Sequence, residues 1–275
     1  MNKDSKSRTA LVTVALTTIV LLAMVPVIWA AMVATKPLQV AFASPPQFFY
    51  SPSLNAFVRL WRETNFAQYL SNTLIVAVMS VAVTLLIATP AAYALSRVSG
   101  KVAAVVLGAA LLLRASPAFA IVLPFYNYSV QFHLYDTKLG LAIAFIAVDQ
   151  PFTIWLLRGF FIAIPKELDE AAFVDGCTRW SAFRRVILPV SLPGLVTAGI
   201  LTFLLAFQEY ILPVVLTDIN AKTVPVFLAS QIGQTLPLLQ QAAAGVTLVT
   251  IPVIISAFVV QRYLIAGLTS GSVKG

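Results

Sequence analysis

Six residues could bind a polar solute although the sequence around them is almost entirely apolar. Amide, carboxylate, guanidinium and phenol groups bind polyhydroxylated molecules through hydrogen bonds and ring contacts. A charged side chain in the middle of a bilayer costs about 2.5–3.5 kcal/mol on insertion scales, so such residues are functional candidates. The set is Arg114, Asp149, Gln150, Gln208, Glu209 and Tyr210. We predict that it lines a polar pathway.

Two of these residues fall at matching depths. Arg114 lies about 18 Å along its apolar segment, counted from one end, and Asp149 lies about 15 Å along the next segment, counted from the other. Pro117 and Pro151 follow them and free backbone carbonyls nearby. We therefore predict that Arg114 and Asp149 pair near the bilayer midplane, or share a water-filled cavity there. In the alternative, Arg114 extends its side chain to the interface and Asp149 bonds a backbone group or another protein.

A second polar segment runs from residue 164 to residue 189. Pro165 suits the start of a helix, and the carboxylates that follow it complement the helix dipole. Gly176 suits a left-handed terminator, after which a second short helix begins near Thr178. Ala171 and Ala172 are expected to form an exposed face of small residues. Such a helix could enter a groove on a partner, or it could simply be a solvated loop with ordinary capping.

Other kinds of chemistry find no support in the sequence. Cys177 is the only cysteine and the chain has one histidine, so neither an internal disulfide nor a His-rich metal site is expected. Gly100-Lys101 lacks the first glycine and the hydroxyl residue of a phosphate-binding loop. We predict no catalytic residue, no metal site and no nucleotide hydrolysis in this chain.

The composition indicates the elements that carry these residues. Of 275 residues, 60% are apolar and 10% charged, and the mean hydropathy is +0.92. Soluble domains have about 25% charged residues. A helix needs roughly 20 apolar residues to cross a bilayer. The sequence therefore predicts one all-helical transmembrane domain over residues 1–275. Its six spans are placed near 9–34, 70–96, 102–123, 139–162, 192–213 and 242–262.

The distribution of basic residues predicts the orientation, since basic loops stay in the cytoplasm. With both termini inside, 12 of the 18 Lys and Arg residues lie on the inner side and five on the outer, with Arg114 within the membrane. The first span resembles a signal peptide but is longer than a signal core, so we expect it to be retained. The basic residues do not cluster on one face, so no nucleic-acid partner is expected.

The outer segment from Pro45 to Phe66 is predicted to form an amphipathic helix in the membrane interface. Apolar residues recur there at helical spacing, and Arg59, Arg62 and Glu63 fall opposite them. It could cap the helix bundle or contact an extracytoplasmic partner.

Several motifs resemble those of one transporter family. Glu170-Ala171-Ala172, three residues, Gly176, nine residues, Val186, one residue and Leu188-Pro189 together resemble the EAA loop of ATP-binding-cassette (ABC) importer permeases. The family usually has Ile in place of Val186. Four further segments resemble the second, shorter permease of maltose-type carbohydrate importers: Tyr93 to Arg97, Leu134 to Gly140, Ile154 to Phe161 and Phe207 to Tyr210. The tail, residues 267–275, is also similar. The family more often has a neutral residue near Asp149.

This resemblance implies a type I ABC importer permease fold and a set of partners. They are a second permease subunit, two copies of an ABC ATPase, an extracytoplasmic sugar-binding protein and the lipid bilayer. ATP and Mg would bind the ATPase, and this chain would hold no cofactor. It also implies a multi-pass protein of the bacterial cytoplasmic (inner) membrane. The residues implied in ATPase coupling are Glu170, Ala171, Ala172, Asp175, Gly176, Arg179 and Pro189, and Lys274 is implied in a contact of the C-terminal tail.

Two other functions remain possible on the residues alone. An ion-coupled secondary transporter would use Arg114, Asp149 and Glu209, would work without partners and would show an internal repeat. No such repeat is visible. An intramembrane enzyme would need a His cluster, a metal set or a serine with a base, and none is visible in the sequence.

Overall fold

The computed structural model describes the backbone of residues 3–98 and 100–271, and side chains within 11–98, 100–112, 114–117 and 119–261. All regular secondary structure in these residues is helical, which confirms the predicted class. The helices are α1 Lys3–Thr35, α2 Leu38–Ala41, α3 Asn55–Glu63, α4 Phe66–Arg97, α5 Gly100–Arg114, α6 Ala118–Gln131, α7 Lys138–Ala163, α8 Glu167–Val174, α9 Arg179–Ala182, α10 Leu188–Val190, α11 Leu192–Phe207, α12 Ile211–Leu216, α13 Val224–Gln231 and α14 Leu236–Gly271. A π-helical turn, Phe183–Ile187, joins α9 to α10.

Four helical segments in the described part of the chain are long and apolar enough to cross a bilayer. They are Leu11–Thr35, Phe66–Arg97, Lys138–Ala163 and Leu236–Gln261. Arg179–Val190 and Leu192–Phe207 meet at a bend of 75° and make a fifth if the bent pair is counted as one span. Long, predominantly apolar runs explain these helices. Each helix contains an internal proline, and neighbouring groups can bond the backbone carbonyl that this proline leaves free.

Two predicted spans are interrupted in the structure. The stretch 102–123 is not one helix, because α5 ends at Arg114 and α6 begins at Ala118, after Pro117. Proline lacks an N–H and disfavours helical geometry in the residue before it. The stretch 192–213 is likewise divided, since α11 ends at Phe207 and α12 begins at Ile211.

The chain forms two compact units, each with its own contacts. The first contains Met1–Phe66 and Phe227–Pro252. Its α3 is the predicted amphipathic helix; it buries Ala56 and Leu60 and exposes Trp61. The charged side of α3 bonds within this unit. Arg59 donates to Gln240 Oε1 at 2.7 Å, and Gln241 donates to Glu63 at 3.2 Å.

The second unit contains Ala67–Val226 and Val253–Gly275. Here α7, whose first turn is capped by the Thr137 hydroxyl, packs against α5, α11 and α12. Two apolar clusters hold these helices together. One surrounds Leu141 and Phe145, and the other surrounds Leu157 and Phe161. This packing positions the polar residues described next.

Candidate functional site

Arg114 and Asp149 form an ion pair within the second unit, which confirms the predicted pairing. Arg114 Nη1 lies 2.9 Å from Asp149 Oδ1 and 2.7 Å from the carbonyl oxygen of Val148. The guanidinium also lies over the Phe152 ring, 5.5 Å from its centroid. The Asp149 side chain is 8% exposed and that of Arg114 26%. An ion pair with added hydrogen bonds offsets much of the desolvation cost of such a site.

Arg114 of this ion pair lines two cavities. One, of about 190 Å³, is lined by Arg114, Ser116 and Glu209 together with apolar residues of α6, α7 and α12. The other, of about 330 Å³, is also lined by Arg114 and Ser116 and extends to Pro151. The smaller cavity thus lies where both interrupted helices break. Irregular backbone at membrane depth is tolerated where protein or a water-filled cavity faces it.

Glu209, which lines the smaller cavity, also caps a helix. Its Oε1 accepts hydrogen bonds from the N–H groups of Ile211 and Leu212, at 2.9 and 3.4 Å, and so caps the start of α12. Its Oε2 has no protein partner among the described residues. The neighbouring Gln208 and Tyr210 are exposed, and neither lines the two cavities. The structure therefore brings Glu209 together with Arg114, but not with these neighbours.

Gln150 also faces away from the two cavities. Its Nε2 lies 3.5 Å from the carbonyl oxygen of Thr84 in α4. On the same helix, the hydroxyl of Thr153 forms a buried 2.9 Å hydrogen bond with the hydroxyl of Thr202 in α11. This threonine pair was not expected from the sequence, because isolated threonines in an apolar helix usually bond their own backbone.

The 164–189 segment has the predicted helix, glycine turn and second helix. α8 spans Glu167–Val174, and Gly176 follows it with a φ of 81°, which confirms the left-handed terminator. Thr178 then caps α9 by accepting a hydrogen bond from the N–H of Ser181. The second helical part continues through the π-helical turn to Pro189, which is exposed.

Asp169 holds α8 against α4. Arg97 Nε donates to Asp169 Oδ2 at 2.8 Å, and the Tyr93 hydroxyl donates to Asp169 Oδ1 at 2.5 Å. Arg97 Nη1 also donates to the carbonyl oxygen of Phe161 in α7. We call Tyr93, Arg97 and Asp169 the α4–α8 latch. This latch was not predicted from the sequence. The feature that could have indicated it is a tyrosine and an arginine at the end of one apolar run, followed by a carboxylate at the start of a later polar segment.

The outer face of α8 is exposed and mixed in character. Glu170, Ala171 and Asp175 are exposed, as are the apolar Phe173 and Val174. Arg179 is also exposed.

The expectation that Ala172 belongs to this exposed face is wrong, because Ala172 is only 3% exposed. It lies three residues after Asp169 and therefore on the same helix face, which the α4–α8 latch turns inward.

Asp136 fastens the connection between α6 and α7 to the connection between α12 and α13. Its carboxylate accepts hydrogen bonds from the backbone N–H groups of Asp218, Ile219, Asn220 and Ala221. Burial acts to raise the pKa of Asp136, but these four donors outweigh it and hold the pKa below its ordinary value.

The described residues contain no group of three or more His, Cys, Asp and Glu side chains that could hold a metal ion. The predicted tail contact, Lys274, lies outside the described residues.

Comparisons with known proteins identify the family. Residues 84–270 match the family described as binding-protein-dependent transport system inner membrane component. The probable ABC transporter permease protein y4oR of Sinorhizobium fredii is 36% identical over 84% of this chain and 83% of its own length. The trehalose transport system permease protein SugB of Mycobacterium tuberculosis is 34% identical over 92% of this chain and 93% of its own.

A solved structure supports the same fold. A bacterial ABC transporter involved in the import of the acidic polysaccharide alginate has a chain that matches with a TM-score of 0.74 and 24% identity, over 96% of this chain and 98% of that one. The chain therefore has a type I ABC permease fold. The chain belongs to the binding-protein-dependent inner-membrane transport family, as a multi-pass ABC permease of the maltose-type carbohydrate group.

Proposed function

We propose that this chain is one of two permease subunits of an ATP-driven importer for a sugar or a related polyhydroxylated solute. It forms half of the translocation pathway, and α8 docks on an ABC ATPase that binds ATP and Mg. An extracytoplasmic binding protein delivers the solute. The trehalose permease among its relatives favours a carbohydrate substrate.

The observation that carries this proposal is the way α8 is held. Its inward face is fixed to α4 by the α4–α8 latch, while Glu170, Ala171 and Phe173 remain exposed. A helix held in this way moves as a rigid body with α4. Closure of an ATPase around the exposed face would therefore be transmitted into the membrane as a tilt of both helices.

The pathway half of the proposal rests on the smaller cavity. Arg114 supplies hydrogen-bond donors there, and Glu209 Oε2 supplies a free acceptor. A donor and an acceptor that line the same cavity suit hydroxyl groups on a sugar. Both residues stand at breaks in apolar helices, where transporters often bind substrate near the bilayer midplane.

Reconstitution tests the proposal. Proteoliposomes containing both permeases and the ATPases should take up labelled sugar only with ATP and the loaded binding protein. Reversing the charge with Glu170→Lys should abolish uptake and reduce the ATPase that co-purifies with the permeases. The control Lys101→Glu reverses an exposed charge at the start of α5, outside α8, and should retain both.

The alternative is an ion-coupled secondary transporter that uses Arg114, Asp149 and Glu209. It requires uptake by this chain alone, driven by a proton or sodium gradient and indifferent to ATP. Uptake under those conditions, or normal uptake by the Glu170→Lys complex, would refute the importer proposal.

A further inference from the structure

A cavity of about 650 Å³ lies beside the α4–α8 latch, outside the proposed translocation pathway, and shares Glu170 and Phe173 with the exposed face of α8. Its walls come from the last turns of α4 and from α8, α9 and the residues that flank them. Basic residues line it at Arg97, Lys166 and Arg179, and aromatic residues line it at Phe173 and Trp180. It therefore combines cationic donors with a broad apolar surface.

The charges on this wall are only partly compensated. Lys166 and Arg179 are exposed, and their side chains have no hydrogen-bond or ion-pair partner in the described part of the chain. Nη2 of Arg97 is buried and also lacks a partner. The Asp169 carboxylate is occupied by the α4–α8 latch, which leaves Glu170 as the unpaired acid among the residues that line the cavity. The wall carries a net positive charge and suits an anion.

The position of the cavity along α4 indicates which anion can reach it. α4 has 32 residues, which is about 48 Å of helix, whereas the hydrocarbon core is about 30 Å thick. With α4 centred in the bilayer, Pro90 lies about 13 Å from the midplane, just inside the edge of the hydrocarbon core, and Arg97 lies about 23 Å from it, at the outer limit of the head-group layer. Both residues line the cavity, together with the exposed Ala94. The cavity therefore spans the depth at which phospholipid head groups lie.

We propose that this cavity binds the head group of an anionic phospholipid. The lipid phosphate lies between Lys166 and Arg179, and the glycerol and first acyl carbons lie along Pro90 and Ala94. Basic pockets at the membrane surface bind anionic head groups in this way, and aromatic side chains such as Trp180 favour the same layer. A bound lipid would bridge α4 and the α8–α9 region next to the latch. Lipid binding itself does not depend on the proposed transport function.

Native mass spectrometry of the assembled permease–ATPase complex tests this site. The complex is released from nanodiscs that contain phosphatidylglycerol and phosphatidylcholine, and the lipids retained per complex are counted. The double variant Lys166→Ala/Arg179→Ala should lose at least nine-tenths of the retained phosphatidylglycerol, while retained phosphatidylcholine stays unchanged. Lys166→Arg/Arg179→Lys, which keeps both charges, should retain it.

The matched control is Arg184→Ala/Arg185→Ala. It removes two exposed basic residues from the adjacent π-helical turn, and neither residue lines the cavity. This variant should retain phosphatidylglycerol. Equal loss in both double variants would mean that basic charge in general attracts the lipid, and it would overturn the site.

Two further results would also overturn the proposal. One is loss of the ATPase subunits from Lys166→Ala/Arg179→Ala with phosphatidylglycerol unchanged, because the basic pair would then belong to a protein contact. The other is protection of the detergent-solubilised complex against heat by inorganic phosphate as effective as that by phosphatidylglycerol, since the site would then bind a free anion. These measurements need no transport, so they are independent of the uptake experiment.

Discussion

Arg97 and Asp169 form an ion pair across 72 residues of sequence, with Nε and Oδ2 2.8 Å apart. Their side chains are 17% and 9% exposed. Removing one partner of a buried ion pair costs about 3–5 kcal/mol, because the other charge is left without compensation. This pair therefore determines which face of α8 points inward and which face remains available to a partner.

The first prediction concerns this pair. Arg97→Ala should strongly reduce sugar uptake by the reconstituted importer, because α8 loses its connection to α4. Arg97→Lys should have a smaller effect, since an ammonium can still bind Asp169 but cannot bond Phe161 as a guanidinium does. Uptake and the melting temperature of the complex are measured together. Arg185→Ala removes an exposed arginine and should change stability by less than about 0.5 kcal/mol. Equal uptake by Arg97→Ala and wild type would contradict the role of the latch.

The second prediction concerns Arg114 and Asp149. Replacing either residue alone with Leu leaves a charge in the membrane interior and should destabilise the complex by about 3–5 kcal/mol. Replacing both removes both charges and should cost less than either single change. Thermal unfolding and uptake of the four proteins form a double-mutant cycle. Additive effects in that cycle would show that the contact does not couple the two residues energetically.

The third prediction concerns Gly176, whose φ of 81° lies in the left-handed region. A Cβ there would meet no heavy atom within 4 Å, so the cost of adding it comes from the backbone conformation. A residue with a Cβ pays about 1–2 kcal/mol in this conformation, and asparagine tolerates it better than most. Gly176→Val should therefore reduce ATPase co-purification and uptake, and Gly176→Asn should reduce them less. Equal co-purification and equal uptake in the two variants would contradict a cost set by the left-handed backbone at this position.

The sequence predicted some of these features because they depend on local spacing. Matching depth was enough to pair Arg114 with Asp149, and glycine at a helix end was enough to predict the turn at Gly176. Local spacing does not predict whether the face of α8 that carries Asp169 is buried or exposed, because a carboxylate in the first turn of a helix complements the dipole on any face. Arg97 decides that direction through a tertiary contact, and Ala172 is buried as a consequence.

The same limit explains the pathway residues. Glu209 lines the cavity with Arg114, whereas Gln150 turns toward α4, although both were selected for polarity alone. Their directions depend on the helix breaks after Arg114 and Phe207, and the apolar runs gave no exact position for these breaks.

The fourth prediction concerns topology and rests on the excess of basic residues on one side. Cys177, which is half-buried, should react with a thiol reagent only after the membrane is permeabilised. In a Cys177→Ser background, Ser53→Cys should react with a membrane-impermeant reagent in intact cells. Labelling of Cys177 from outside would reverse the orientation and would place α8 on the side without ATPase.

The last prediction concerns Asp136 and pH. Four backbone N–H groups bind its charged form and lower its pKa below the value of an unfolded chain. Its contribution to stability is therefore fully present above the unfolded pKa, near pH 4, and is lost as pH falls through the lowered folded value. Hydrogen exchange of the amides of Asp218–Ala221 measures this contribution. At pH 7, these amides should exchange faster in Asp136→Asn than in wild type. The substitution adds no backbone strain, because asparagine tolerates the φ of 54° at this position. The control Asp218→Asn changes a neighbouring carboxylate without removing these hydrogen bonds. Its amides should be protected against exchange as strongly as those of wild type. As pH falls below the folded pKa of Asp136, protection in wild type should drop to that of Asp136→Asn. If the difference in amide protection between wild type and Asp136→Asn stayed constant down to low pH, the geometry of the Asp136 side chain and not its charge would hold this loop.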